Sequence, residues 1–508
     1  MSSETTSQQA IQRVRGTNDV LPPADAGLRR LEAELRAGFE AFGYQGIQTP
    51  IIEPLELFLR KSGEEIVARM YAFSHWNRRL CLRPELTASV MRACLAADLQ
   101  GQSLPLRFHY AGPSFRYERP SRARFRQFTQ VGIELIGAAG AAADAEVLHL
   151  ACRGLQAVGI SRCRLVVGHL GAVLQLLAQL GMSEHAQGLV LDLMEPIGRG
   201  RLDVDEAVSR VVSLLGGAAG GQADGAVSGL PDALAQLPPE QATAIAADIL
   251  ARASLPVEGG SRQARHIIQR LLAKANRPDP TAQVRAAFEF VGELHRLRGG
   301  ELRTALERRG LSTTPLDEVE GALGLLAAYG PLGDGVDVEV DLSLARGLRY
   351  YTGLVFEIYV GSEEGPLQVC GGGRYDDLVR ALGGREQVPA CGFSYGLERL
   401  DLVRPADADA ATQPRVLVVA VAEDDHPAAV AVASQLRQVP GLVVEQDVRL
   451  RGPKAALRHA DRGGINAVVL LGEQERAQGV AVLRDMRARR ETRVPLDQLA
   501  GAVRAVVL

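Results

Sequence analysis

The stretch FRYERPSRARFRQFTQ, Phe115 to Gln130, packs five arginines and four aromatic residues into sixteen positions of a chain that is only 5% aromatic. Side chains alternate across an extended strand. Over residues 124 to 136 the alternation puts Arg124, Arg126, Phe128, Gln130 and Glu134 on one face. The other face carries Gln127, Thr129, Val131, Ile133 and Leu135 and is expected to enter a core. Two cations, a ring, an amide and an acid on one face suit a nucleotide plus a small polar substrate, because guanidinium forks grip phosphate oxygens and a ring stacks a base. A solvated strand face with ion pairs across strands is the plain alternative.

The rest of the chain bounds what such a face serves. Its 508 residues exceed one core and imply two to four domains. Hydrophobic content of 46% and a mean hydropathy near zero describe a globular protein. No apolar run reaches the roughly 18 residues of a membrane span, and the polar start MSSETTSQQA has no leader pattern. Six cysteines without a CxxC pair and nine histidines without HExxH point to a reducing, cytoplasmic setting and no metal site. A net charge of -3 excludes nonspecific coating of nucleic acid, though not a nucleic-acid partner met by local basic faces. Lysine is confined to Lys61, Lys274 and Lys454, so part of the arginine content is compositional bias.

Six segments are expected. Residues 1–14 form a tail, and 15–181 the first part of a catalytic core, with a helix carrying Leu28, Leu31, Leu35, Phe39 and Phe42 up to Gly43. An extended stretch interrupted by Pro50 follows, then two strands within 104–137 and a helix–strand–helix alternation over 144–181. Residues 182–335 read as a helical insertion with a glycine-rich stretch, Gly216 to Gly229, and no visible chemistry. Strands resume over 336–403. RPADADAATQP, 404–414, reads as a linker, and the apolar runs of 415–508 read as a separate α/β domain with parallel strands. The overall class is α+β.

FRYE (115–118) with RFRQF (124–128) resembles motif 2 of the class II aminoacyl-tRNA synthetases, GLERL (396–400) resembles motif 3, and the segment up to Pro50 is similar to motif 1. Within that class, RGTNDVLP from Arg15, LRPELT (82–87), RGLRYYTG (346–353) and GGGRYDDL (371–378) resemble the histidyl-tRNA synthetase family. The resemblance implies an antiparallel-sheet core, a C-terminal anticodon-binding domain and a homodimer. It also implies that histidine and ATP, with Mg²⁺ carried by ATP, yield histidyl-adenylate and then histidyl-tRNA.

The resemblance further implies residue roles. Arg116 would hold the α-phosphate, Glu118 the adenine edge, and Arg124 and Arg399 the distal phosphates, with adenine between Phe128 and Arg399. Glu85, Thr87 and Gln130 would receive the histidine ammonium; Glu134 and Tyr351, with Tyr350 beside it, would meet the imidazole. Arg346 would stabilise charge on the α-phosphate, which makes Arg116 and Arg346 the catalytic pair. The glycines 371 to 373 would either let backbone approach the substrate or form a turn. For tRNA, Arg122 would approach the acceptor end. Lys454, Arg458 and Arg462, just after Arg451, would form a stripe on one helix, its alternative being a solvated face.

Arg349 stands where the family usually has aspartate. That two-unit change of charge opens a second reading. A non-aminoacylating paralogue serves as the histidine-sensing regulatory subunit of ATP phosphoribosyltransferase, but it characteristically ends near the motif 3 helix. Here nearly a hundred residues continue.

Overall fold

The structure is a computed structural model that describes residues 11–60, 68–97, 103–119, 123–198, 200–217, 280–330, 335–345, 350–362, 365–405 and 413–507. Arg122, Arg346, Arg349 and most of the glycine-rich stretch lie outside the described residues. The chain divides into two compact units, 1–405 and 406–508.

The first unit is organised by an eight-stranded sheet. In chain order its strands are β1 (Gln45–Gly46), β5 (Leu106–Phe115), β6 (Gln127–Ile136), β7 (Cys163–His169), β8 (Val336–Val340), β9 (Leu354–Ser362), β10 (Gly365–Arg374) and β11 (Ala390–Gly396). A separate three-stranded sheet holds β2 (Ile52–Pro54), β3 (Ala72–His75) and β4 (Arg78–Leu82). The large sheet runs β1-β5-β6-β11-β10-β9-β7-β8. Its interior pairs are antiparallel, while β1 with β5 and β7 with β8 at the two ends are parallel.

Each face of this sheet buries a different layer. Val131, Ile133 and Leu135 of β6 pack with Leu31, Leu35 and Phe39 from the helix Ala24–Glu40 and with apolar residues of the helix Ala141–Ala157. The helix from Ala24 stops as expected, with Gly43 just beyond it at φ +81°, a left-handed conformation that costs glycine nothing. Strand alternation in β7 sends Leu165 and Val167 to this layer and Val166 to the opposite one. That opposite layer contains the helices Leu170–Gln179, Glu184–Gly198, Val204–Gly217 and Pro280–Arg296.

The described helices of the stretch read as a helical insertion therefore pack into the first unit's own core. The last of them, Thr314–Ala328, even lies in the other layer, where Val319, Ala322 and Leu326 join the cluster around Leu35. Helical periodicity identifies a buried face but not the partner it meets.

GGGRYDDL is also different from a turn. Gly371, Gly372 and Gly373 sit inside β10, paired to both β9 and β11. A Cβ on Gly372 would come within 2.3 Å of the Gly392 carbonyl and 2.6 Å of Phe393. The close approach is between strands. After it, Arg374 donates two buried hydrogen bonds to Asp144 (Nε–Oδ1 3.0 Å, Nη2–Oδ1 2.8 Å) and a third to Asp376 at 3.0 Å. Breaking such a buried pair from one side costs about 3–5 kcal/mol, since it strands the other charge. Asp144→Ala should lower the urea midpoint of the first unit accordingly, followed by circular dichroism.

The second unit has the parallel strands β12 (Arg415–Ala420), β13 (Val443–Gln446) and β14 (Ala467–Leu471), as the apolar runs imply. Two antiparallel strands, β15 (Val480–Asp485) and β16 (Arg490–Pro495), complete the order β13-β12-β14-β15-β16. This hairpin escapes a reading by apolar runs because β16 is exposed at every position but Val494.

Candidate active site

On the insertion side of the large sheet lies a cleft of about 1360 Å³. Arg116, Glu118, Arg124, Phe128, Gln130, Glu85, Thr87, Tyr350, Tyr351 and Arg399 all line it. These residues come from the ends of β5 and β6, from the helix Leu397–Val403 after β11, from the Leu82–Thr87 segment and from the stretch before β9.

Arg116, Arg124 and Arg399 crowd one end of it. The Arg116 guanidinium lies 5.3 Å from the centre of the Phe128 ring, and its Nε donates to the Pro84 carbonyl at 2.9 Å. Arg399 donates to the carbonyls of Ala123 at 3.1 Å and Gln368 at 2.9 Å. Burial, then the neighbouring Arg124, lowers the pKa of Arg399, and Arg116 adds to the repulsion. Glu118 opposes the cluster at long range, 3.7 Å from Arg69 and 3.9 Å from Arg124. A polyanion relieves that excess of positive charge.

Arg126 is a correction. The expected common face included it, but β6 begins at Gln127. The Arg126 amide bonds the Gly16 carbonyl at 2.7 Å, and its guanidinium covers the Tyr117 ring at 3.9 Å. Bonds to Glu118 O and Arg15 O complete its environment. The strand bends before Arg126 because its backbone is engaged by the N-terminal segment.

The opposite end is more enclosed, with Glu85, Tyr350 and Tyr351 buried. Glu85 is 3% exposed; its Oε1 accepts from the Ala88 amide at 3.0 Å, whereas its Oε2 is buried without a hydrogen-bond partner. Burial raises its pKa. An ammonium ion meeting Oε2 satisfies the orphan and restores the charged form. Gln130 is fixed on both sides, its Oε1 accepting from Ser114 at 2.7 Å and its Nε2 donating to Ser394 at 2.8 Å. Tyr350 and Tyr351 pack ring to ring at 4.8 Å.

Glu134 is 1% exposed and lies behind this wall rather than on it. Its Oε1 accepts from Thr87 at 2.6 Å and Tyr110 at 3.1 Å, and its Oε2 from Tyr375. Burial pushes its pKa well above the ordinary carboxyl range. Three hydroxyls thus converge on one acid.

Several lining residues were not singled out from sequence. Tyr375 stands in the quoted GGGRYDDL, and Glu398 in the quoted GLERL; Glu398 accepts the Thr129 amide with both oxygens at 2.8 and 2.9 Å. Glu357 of β9 is buried against Gln368 at 2.6 Å. Leu189, Asp192, Glu195, Arg201 and Arg210, from the helical stretch in which no chemistry was visible, form the outer wall. No local motif marks them, because their positions depend on how those helices pack.

In the second unit, Lys454, Arg458 and Arg462 are exposed along the helix Pro453–Arg462, whose opposite side buries Ala456 and Ala460. Arg451 does not extend the stripe freely, since it pairs with the buried Asp447 at 2.9 Å.

An antiparallel sheet that presents an arginine cluster beside a buried carboxylate, in a chain that also carries a separate α/β unit, defines the class II aminoacyl-tRNA synthetases. A family profile described as histidyl-tRNA synthetase matches residues 16–203 and 260–400, and one described as anticodon binding domain matches 415–506. The histidine–tRNA ligase of Methanocaldococcus jannaschii is 31% identical over 97% of this chain and 99% of its own length. That of Methanocorpusculum labreanum is 33% identical over 96% and 97%. Apo histidyl-tRNA synthetase of S. aureus shares the fold, with a TM-score of 0.62 at 24% identity over 97% of this chain and 99% of that one. The chain belongs to the histidyl-tRNA synthetase family.

Gly392 gives a test of the enclosed end. A Cβ there would stand 2.2 Å from Glu134 Oε2, 2.3 Å from the Ile133 carbonyl and 2.6 Å from the Tyr375 hydroxyl. Gly392→Ala should raise the KM for the amino acid at least tenfold while changing the KM for ATP little, as read by amino-acid-dependent ATP–pyrophosphate exchange.

Proposed function

We propose that the chain is a histidine–tRNA ligase that activates histidine with ATP to histidyl-adenylate and transfers it to histidine tRNA. The observation that carries this reading is the single cleft in which three mutually repelling arginines stand beside Glu85, whose buried Oε2 lacks a partner. One end asks for phosphates and the other for an ammonium ion.

Arg116 holds the α-phosphate, Arg124 and Arg399 the distal phosphates, and Glu118 the amino edge of adenine. Since Arg116 covers one face of Phe128, the base stacks on the other, facing Arg399. Mg²⁺ arrives with ATP as part of the substrate. Glu85, Thr87 and Gln130 receive the ammonium. The imidazole is read by Glu134 and by Tyr351, with Tyr350 backing it. For an imidazole N–H to reach Glu134 it takes over the bond now made by Tyr375, so the hydroxyl doubles as a stand-in for substrate. A site of buried acceptors discriminates steeply against amino acids that leave them unpaired.

Attack by the histidine carboxylate on the α-phosphate then needs positioning and charge stabilisation, which Arg116 and Arg346 supply, rather than a general base. Arg122 approaches the acceptor end, and the stripe Lys454, Arg458 and Arg462 meets tRNA phosphates. We place the enzyme in the cytoplasm as a homodimer joined through the segment around Pro50.

The regulatory-subunit alternative is disfavoured. The anticodon-binding match over 415–506 and the end-to-end coverage of curated ligases supply what the shorter paralogue lacks.

Arg116→Ala and Arg346→Ala should each lower kcat for histidine-dependent ATP–pyrophosphate exchange by about 100- to 1000-fold, the usual loss when one preorganised charge donor is removed. Absence of exchange in folded, histidine-binding wild-type protein would sink the ligase reading. Reversal of Lys454, Arg458 and Arg462 to glutamate should leave exchange unchanged, weaken tRNA binding and flatten its salt dependence by about one log unit per lost phosphate contact.

A further inference from the structure

The β3–β4 hairpin protrudes beside the nucleotide end of the cleft, and its chemistry is unused by the reaction. Strand β3 is exposed at all four positions, and the turn Trp76–Asn77 has both residues at positive φ, +47° and +58°. Two-residue turns of this kind favour Asn-Gly, and a bulky residue at the first position is strained. Trp76 is nonetheless the only tryptophan of the chain and is 87% exposed. Strain retained at an exposed ring motivates a functional reading.

The register shows what shares a face with it. Phe73 pairs with Leu80 and His75 with Arg78, so these four side chains stand together, and Tyr71 precedes them by one alternation. The other face carries Cys81, which is buried. Tyr71 meets Tyr117 of the motif 2 arm edge to face at 5.8 Å, and at the far end His75 meets Trp76 at 6.2 Å. A line of rings therefore runs outward from the ATP site, Tyr117, Tyr71, Phe73, His75 and Trp76, with Arg78 alongside. At about 3.3 Å per residue it reaches roughly 16 Å beyond Tyr71. Arg79, opposite Ser74, lies on the other face, so Arg78 is the cation of the strip.

We infer that this strip is a tRNA-binding surface that receives the nucleotides of the acceptor end next to the reacting terminus. The assignment rests on the ligase reading for its choice of RNA. Successive exposed rings with a cation beside them are what a nucleic-acid strand needs, since bases stack on the rings and phosphates meet the guanidinium without stripping it of water. A partner protein would instead have to bury Arg78 against an acid.

Two measurements test it on the full-length protein. Titration with a histidine tRNA transcript should quench the fluorescence of Trp76 saturably and less strongly at higher salt. The pair Trp76→Ala and Arg78→Glu should raise the KM for tRNA about tenfold in aminoacylation, in keeping with the loss of one stacked base, while tRNA-independent pyrophosphate exchange stays within twofold. No quench and an unchanged KM would overturn the inference. So would a joint fall in exchange and sedimentation coefficient, which would mean that a second copy covers the strip. Should wild-type protein show no exchange at all, the ligase reading fails, and the quench titration still decides whether the strip binds RNA.

Discussion

The placement of β6 between β5 and β11 is the constraint on which the site depends. Gln130 lies opposite Gly112 on one side and Gly396 on the other, while Glu134 lies opposite Phe108 and Gly392. A slip of one residue would send Gln130 and Glu134 into the apolar layer and Val131, Ile133 and Leu135 toward the substrate. Burial of those three side chains against Leu35 and Phe39 opposes the slip, so the same contacts that stabilise the fold aim the polar face. Glycines at 392 and 396 leave room for that face on the neighbouring strand.

Electrostatics then divides the cleft. Repulsion among Arg116, Arg124 and Arg399 is tolerated because bonds to the carbonyls of Pro84, Ala123 and Gln368 hold Arg116 and Arg399 in place, while Arg124 lies 3.9 Å from Glu118. Those bonds position the cations without neutralising them. At the other end burial disfavours the charged form of an acid while donating hydroxyls partly offset it, as Glu134 shows. One sheet thus keeps positive charge available at its nucleotide end and negative charge latent at its amino-acid end.

Much of this was legible in the sequence. Period-two alternation located β6 and its buried face, and the resemblance carried by FRYE, RFRQF and GLERL named part of the cleft lining. Failures came where local pattern underdetermines partners. Arg126 looked like a member of the polar face until the backbone of Arg15 and Gly16 claimed it. The glycines 371 to 373 admitted a turn, but they lie within a strand, where Gly372 permits close approach between strands and Gly371 lines the cleft. The helices after residue 182 showed amphipathic faces without saying what those faces would meet, and so their part in the cleft wall was invisible.

The pairing of β6 with β11 also carries a cost in time. Gln130 and Ser394, which bond each other in the finished cleft, are 264 residues apart in the chain. At ribosomal speeds of about 5–20 residues per second, β6 waits on the order of tens of seconds for its second neighbour. During that interval one of its edges is an open template for other chains. The binding site is therefore the last part of the sheet to close during synthesis, and the cell must shelter a half-built strand edge before any substrate can be recognised.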